Sequence, residues 1–185
     1  EKVVMNPENA LASDELWLCA WCYRCQEHCP QALALPEIFL LMRTLSAKHR
    51  QAQPLESALH KIVDNIPLPL VAISVCYHPE RAGLNKQAVL DKAENMRAAK
   101  IGSGKAKTTF RNQKVAVLGS GPAGLTVAYE LSSKGYDVTV FESLRELGGM
   151  LRKCIPDSRL PKQVLAKEIQ YLKVLGTDFK PSTTI

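Results

Sequence analysis

The sequence predicts a helical N-terminal segment followed by an α/β unit with parallel strands. Three observations carry that reading. Cys19, Cys22, Cys25 and Cys29 crowd into one short stretch, ahead of segments with helical apolar spacing. From Lys114, an apolar run, a glycine-rich turn and a second apolar run succeed one another at strand–turn–helix–strand lengths. Between these parts lies a basic, glycine- and serine-containing stretch. The expected organisation is a helical domain over residues 1–99, a linker over 100–112 and an α/β unit over 113–185.

Within the first part, Ser13 or Asp14 is placed to cap a short helix through Leu18. Pro36 suits a first helical turn, and Glu37 suits the positive end of the helix dipole. Ile38, Leu41, Met42 and Leu45 then form an apolar stripe, read as core-facing, with Lys48, His49 and Arg50 at the negative end. Pro54 opens a second helix carrying Leu55, Leu59, Ile62, Val63 and Ile66 at helical spacing. Pro67 and Pro69 end it. A third helix is expected over 86–99, with Val89, Ala93 and Met96 on one face.

The linker contains Gly102-Ser103-Gly104-Lys105. The phosphate-loop pattern fails here, because Ala99 and Ala106 occupy its first and last required positions. Too little apolar surface is available to offset the entropy of ordering, so Gly102–Thr109 is expected to be mobile. In the second part, Val115-Ala116-Val117-Leu118 reads as a buried parallel strand. A helix from Pro122 to about Lys134 follows, closed by Gly135. Asp137 to Glu142 is the second strand, and a third strand or hairpin begins at Asp178.

The 185 residues are 46% hydrophobic and 23% charged. That composition is globular and excludes wholesale disorder, collagen-like sequence and a coiled coil. No apolar run reaches the roughly 18 residues that span a bilayer, so no membrane span is expected. No leader-like stretch follows Glu1; either processing removed one or, the favoured reading, the chain is cut from something longer. Net charge is +6, and the excess is local. No acid lies between Glu94 and Glu130, while Arg97, Lys100, Lys105, Lys107, Arg111 and Lys114 do. Only Phe110 is interleaved with these cations and no nucleic-acid motif occurs, so nucleic acid is not an expected partner.

The glycine segment Gly119-Ser120-Gly121-Pro122-Ala123-Gly124 carries specific chemistry. Gly119 permits the tight turn out of the strand. Gly121 keeps a pyrophosphate from being held off the backbone. Gly124 lets the helix pack close to the strand, and the helix N-terminus offers N–H groups to phosphates. Glu142, 23 positions after Gly119, ends the second strand, where an acid bonds a ribose hydroxyl pair. With strand, helix, strand and acid in order, the reading is a Rossmann-type dinucleotide fold.

The cysteine motif is C-x2-C-x2-C-x3-C-P, from Cys19 to Pro30, the spacing of bacterial ferredoxins. Zinc sites more often pair two separated C-x2-C knuckles, and no second knuckle occurs here. One [4Fe-4S] cluster held by Cys19, Cys22 and Cys25 is therefore expected. The fourth ligand is Cys29 or Cys76. Clustered thiols in a long, lysine-rich chain place it in a reducing compartment, read as cytoplasmic. His28 is expected exposed beside the cluster.

These residues resemble a known family. VAVLGSGPAGLTVAYELSSKGYDVTVFESLRELGGML and the following IPDSRLPKQVLAKEIQYLKVLG are similar to the NADPH-dependent glutamate synthase small subunit and its relatives. NIPLPLVAISVCYHP, which contains Cys76, resembles that family's iron–sulfur region. The segment from Leu16 to His49 resembles one cluster segment of the heterodisulfide reductase iron–sulfur protein that carries two ferredoxin motifs; only one such motif occurs here. The resemblance implies an FAD-binding half that includes Gly149 and Leu151, with NAD(P)H bound by a later domain absent from this chain. Glu80 and Leu84 stand where the glutamate synthase relatives place further cysteines, and Cys154 stands where they have glycine. The implied function is an electron-transfer fragment or subunit of a flavin and iron–sulfur oxidoreductase, working with other redox subunits and not active alone. The alternative is a non-catalytic iron–sulfur docking module. No side chain is assigned as an acid or base catalyst.

Overall fold

The computed structural model describes residues 6–48, 52–102 and 113–185. The expected mobile stretch lies outside the described residues from Ser103 onward. Two compact units are present, Glu1–Met96 and Arg97–Ile185.

The first unit is helical. It runs through α1 (Pro7–Leu11), a 3-10 turn (Asp14–Leu18), α2 (Arg24–Glu27), α3 (Leu35–Lys48) and α4 (Ala52–Asn65). After these come α5 (Pro69–Ala72), a wide π turn (Ile73–Tyr77), a second 3-10 turn (Pro79–Ala82) and α6 (Lys86–Gly102), which continues past Met96. Leu59, Ile62 and Val63 of α4 are buried as their spacing predicts, and so are Val89 and Ala93 of α6. Leu16, Trp17, Met42, Ala58 and Ala82 share one apolar cluster.

Helix α3 corrects the expected stripe. The helix buries Pro36, Met42, Arg43 and Ser46, while Leu41 is 61% exposed and Ile38 and Leu45 are also exposed. Its inward face is turned by one residue, about 100°. Polar ties set this orientation. Ser46 Oγ donates to the Leu11 carbonyl at 3.0 Å, and the Arg43 guanidinium reaches into the interior. Apolar spacing does not register such ties.

The second unit holds β1 (Lys114–Leu118), α7 (Pro122–Ser133), β2 (Asp137–Phe141), α8 (Gly149–Lys153), α9 (Lys162–Val174) and β3 (Asp178–Lys180). The sheet is parallel in the order β1-β2-β3, with Val117 paired to Val140 and Val140 to Phe179. Alternate residues Val138 and Val140 are fully buried, packed with Val117 and with Ala128 of α7. Residue 178 begins a third parallel strand, not a hairpin. The chain beyond it then covers the end of β2, with Thr183 N donating to Glu142 O at 2.9 Å and Ser182 N to Leu144 O at 3.0 Å. Arg97 pairs with the fully buried Glu168 of α9, and its guanidinium lies 3.5 Å over the Tyr171 ring. A buried ion pair costs desolvation, so this one depends on its close geometry.

Candidate functional site

In the second unit, the C-terminal end of β1 meets the N-terminus of α7. Gly119 leaves the strand at φ +88°, and its N–H donates to Phe141 O at 2.7 Å, closing the β1–β2 pair. Gly121 precedes α7 in an extended conformation, and no side chain caps the helix. Pro122 opens it without needing an N–H partner. A Cβ added at Gly121 meets nothing within 4 Å, so the backbone at the helix N-terminus is open on that side. A Cβ at Gly124 would fall 1.9 Å from the Gly119 carbonyl oxygen. The two glycines thus serve different ends: Gly124 is required by packing, while Gly121 leaves room. An open backbone cradle at the positive end of a 12-residue helix fits a phosphate group.

The glycines at the start of α8 close on this cradle. A Cβ at Gly149, at φ +49°, would stand 3.1 Å from Gly121 Cα. Gly149 therefore lies beside the cradle. Leu151, also expected at the site, is buried. Pro122 and Ala123 are exposed at the helix start.

Glu142 sits just beyond β2 and is only 5% exposed. One carboxylate oxygen, Oε2, accepts from Ser120 N at 2.8 Å and from Ser120 Oγ at 2.5 Å. The other, Oε1, accepts from Leu144 N at 3.0 Å and from Ser143 Oγ at 3.3 Å. Burial alone raises its pKa. The bonds from the Ser120 hydroxyl, the Leu144 and Ser120 N–H groups and the Ser143 hydroxyl outweigh that and pull it from 4.5 to about 2. A folded-state pKa below the unfolded one stabilises the protein above pH 4.5, and that contribution is lost as pH falls towards 2. The full contribution is about 3 kcal/mol. Urea denaturation at pH 6 and pH 3 should show the loss in wild type and a much smaller one in Glu142→Gln. Equal pH dependence in the two proteins would disprove the assignment.

In the first unit, the cysteine segment is shaped by left-handed residues that are not glycine, Trp21 at φ +55° and Tyr23 at φ +60°. Such backbone is costly for bulky residues and persists only where surrounding contacts hold it. Trp21 stacks on Tyr23, meets His78 edge-on and lies under the Arg81 guanidinium at 4.6 Å. Arg43 ties two cysteine-bearing segments together. Its Nε donates to Leu16 O at 2.9 Å, its Nη1 to Tyr77 O at 3.1 Å and its Nη2 to Cys19 O. The residue after Cys76 and the residue that opens the cysteine motif are thus bound to one guanidinium. Cys19, Cys29 and Cys76 are half-buried, Cys22 and Cys25 are exposed, and no disulfide joins any of them. His28 is exposed as expected, its Nδ1 2.9 Å from Arg24 O. Among the described residues, no three thiol, imidazole or carboxylate groups gather as a metal-holding set. The donor chemistry suits a soft metal or an iron–sulfur group, and the thiols are not drawn together around one.

Sequence reasoning missed Arg43 and the buried role of Ser120. The signal for Arg43 was present: it is the one cation inside the apolar stretch Ile38–Leu45.

Residues 117–173 match the model of the NAD(P)-binding Rossmann-like domain. The chain is 31% identical over 173 residues to the NADPH-Fe(3+) oxidoreductase subunit beta of Geobacter sulfurreducens, covering 87% of this chain and 25% of that protein. It is 43% identical over 88 residues to the NADP(+)-dependent formate dehydrogenase subunit beta of Moorella thermoacetica, covering 48% and 12%. It is 42% identical over 73 residues to the glutamate synthase [NADPH] small chain of Mycobacterium tuberculosis, covering 40% and 15%. The chain therefore spans a quarter or less of the length of these relatives. Among the described residues, no helix is long and apolar enough to cross a membrane. The resemblance to the glutamate synthase small chain is borne out: over the aligned stretches this chain is homologous to that oxidoreductase subunit, to NADPH-Fe(3+) oxidoreductase subunit beta and to NADP(+)-dependent formate dehydrogenase subunit beta, and its own residues 117–173 match the NAD(P)-binding Rossmann-like domain.

Proposed function

We propose that this chain is the electron-transfer part of an NAD(P)H-linked flavin and iron–sulfur oxidoreductase, acting beside other redox subunits. The observation that carries the reading is the open backbone cradle at Gly121, beside a Gly124 that packing requires. It supports a dinucleotide seated by its pyrophosphate on the N-terminus of α7. FAD is favoured for this place by the resemblance of residues 115–151 and 155–176 to the flavin half of the glutamate synthase small subunit. Cys19, Cys22 and Cys25, with Cys29 or Cys76, would hold a [4Fe-4S] cluster. Bound flavin supplies the conversion between two-electron and one-electron transfer, and a bound cluster carries single electrons.

The residues of this chain bind and orient. Gly119 and Gly121 admit the phosphates, and the α7 N–H groups neutralise part of their charge. Glu142 holds the turn at the end of β2. A ribose hydroxyl reaching its carboxylate would replace the longest of its present bonds, that from Ser143. A carboxylate at this place also disfavours a 2′-phosphate.

The test is anaerobic purification of the 185-residue chain, with a visible spectrum and analysis for iron, sulfide and zinc. About four irons and four sulfides per chain are expected for one cluster, with flavin bands on adding FAD. Stoichiometric zinc without iron would overturn the cluster. Cluster absorbance with no flavin uptake would favour a docking module over an electron-transfer one.

A further inference from the structure

We propose that Ser120 is a positioning residue whose hydroxyl fastens two glycine loops to each other and so preforms the dinucleotide cradle; its role toward the ligand rests on the flavin reading above. Ser120 is fully buried. Its Oγ accepts from Gly148 N at 2.9 Å, which directs its own proton to Glu142 Oε2. The result is a directional relay, Gly148 N–H to Ser120 O–H to the Glu142 carboxylate. Its members come from the turn after β1, the end of β2 and the loop before α8, so residues 28 positions apart are joined through one hydroxyl.

Several features make the relay specific. Glu142 also takes the Ser120 N–H, so backbone and side chain of one residue are held by the same oxygen. Gly148 sits at φ +116°, and a Cβ there would strike Leu165 Cδ2 at 2.6 Å. This amide is therefore presented at a place only glycine occupies without strain. One residue on, Gly149 packs against Gly121, the residue that lines the open cradle. Where Gly148 is held determines where Gly149 lies, and Gly149 forms one wall beside the phosphate position. A methyl group at residue 120 preserves the packing and leaves a buried N–H without its acceptor, while the carboxylate loses a charge-assisted donor.

The experiment compares wild type with Ser120→Ala in the full 185-residue chain. Without any nucleotide, amide hydrogen exchange is read at Gly148, with Val117 and Val140 of the sheet as controls. The Gly148 amide is expected to exchange about tenfold faster or more in Ser120→Ala, with the sheet amides unchanged. The labelled Glu142 carboxyl carbon should titrate at higher pH in the variant, a signature that a loss of packing alone would not move. FAD titration should show about tenfold weaker affinity. Should Ser120→Ala lose sheet protection, Ser120→Cys keeps the shape with weaker bonds and should show the same changes at smaller size. Unchanged Gly148 exchange and an unchanged Glu142 titration in a folded variant overturn the relay. A wild-type chain that takes up no FAD overturns the flavin reading instead, and the exchange measurement still decides the relay.

Discussion

Gly124→Ala should cost at least about 3 kcal/mol and abolish nucleotide uptake, because no small movement makes room for its side chain. The added carbon would lie 1.9 Å from a backbone oxygen, that of Gly119, and 3.0 Å from the carbonyl carbon. Backbone cannot swing aside as a flexible side chain does. Relief requires α7 to lift from β1, which disrupts the packing of Ala128 against Val117, Val138 and Val140. Gly121→Ala is the matched control. Its backbone, at φ −70°, accepts alanine, and the new methyl meets nothing within 4 Å. Its stability should stay within about 0.5 kcal/mol of wild type, while affinity for a dinucleotide falls. Thermal melts followed by circular dichroism, with FAD titrations beside them, separate the two. If Gly121→Ala binds FAD as wild type does, the open space is not the phosphate site.

Arg43→Met should destabilise the first unit by about 3 kcal/mol or more. The guanidinium serves the carbonyls of Leu16, Cys19 and Tyr77, and the residue is only 4% exposed. Methionine fills the space and removes the cost of burying the charge, which here lowers the arginine's pKa. It leaves one buried acceptor, Leu16 O, and two part-buried ones, Cys19 O and Tyr77 O, without their donor, the buried one alone costing about 1–3 kcal/mol. It also releases the contact that brings the Cys19 and Tyr77 segments to one group. Iron content after anaerobic reconstitution should therefore fall well below that of wild type if Cys76 shares a cluster with Cys19. It should fall little if Cys29 completes the set. Urea denaturation measures the stability change. A variant as stable as wild type would show that the three carbonyls find other donors.

Local spacing carried much of the architecture. Strands β1 and β2, helix α7 and the glycine turn between them are legible because their signals are short-range, but the expected burial of β1 is not found: Val117 alone of that run is buried and Leu118 is 68% exposed. An apolar run of strand length, glycines where a side chain has no room and a helix closed by Gly135 depend on neighbours within a few residues. The buried Leu59, Ile62 and Val63 of α4 and Val89 and Ala93 of α6 were legible for the same reason, since they recur at helical spacing. Helix α3 was not. Its sequence offers apolar residues around most of its circumference, so the inward face was chosen by Arg43 and Ser46 finding carbonyls 24 to 35 positions away.

The same division runs through the candidate sites. The residue types, thiols at ferredoxin spacing and glycines at dinucleotide spacing, are written in consecutive positions. Which cysteine-bearing segments meet depends on a guanidinium whose partners are the backbone carbonyls of residues 16, 19 and 77. The place of Glu142 at the end of β2 follows from the alternation of Val138 and Val140. Its partners do not, because Ser120 reaches it only after the parallel pairing of β1 with β2 sets the two strand ends side by side. Hydrogen bonds between distant segments have no period in the sequence. They exist only once burial has removed water as the competing partner, and so the tertiary structure alone decides them.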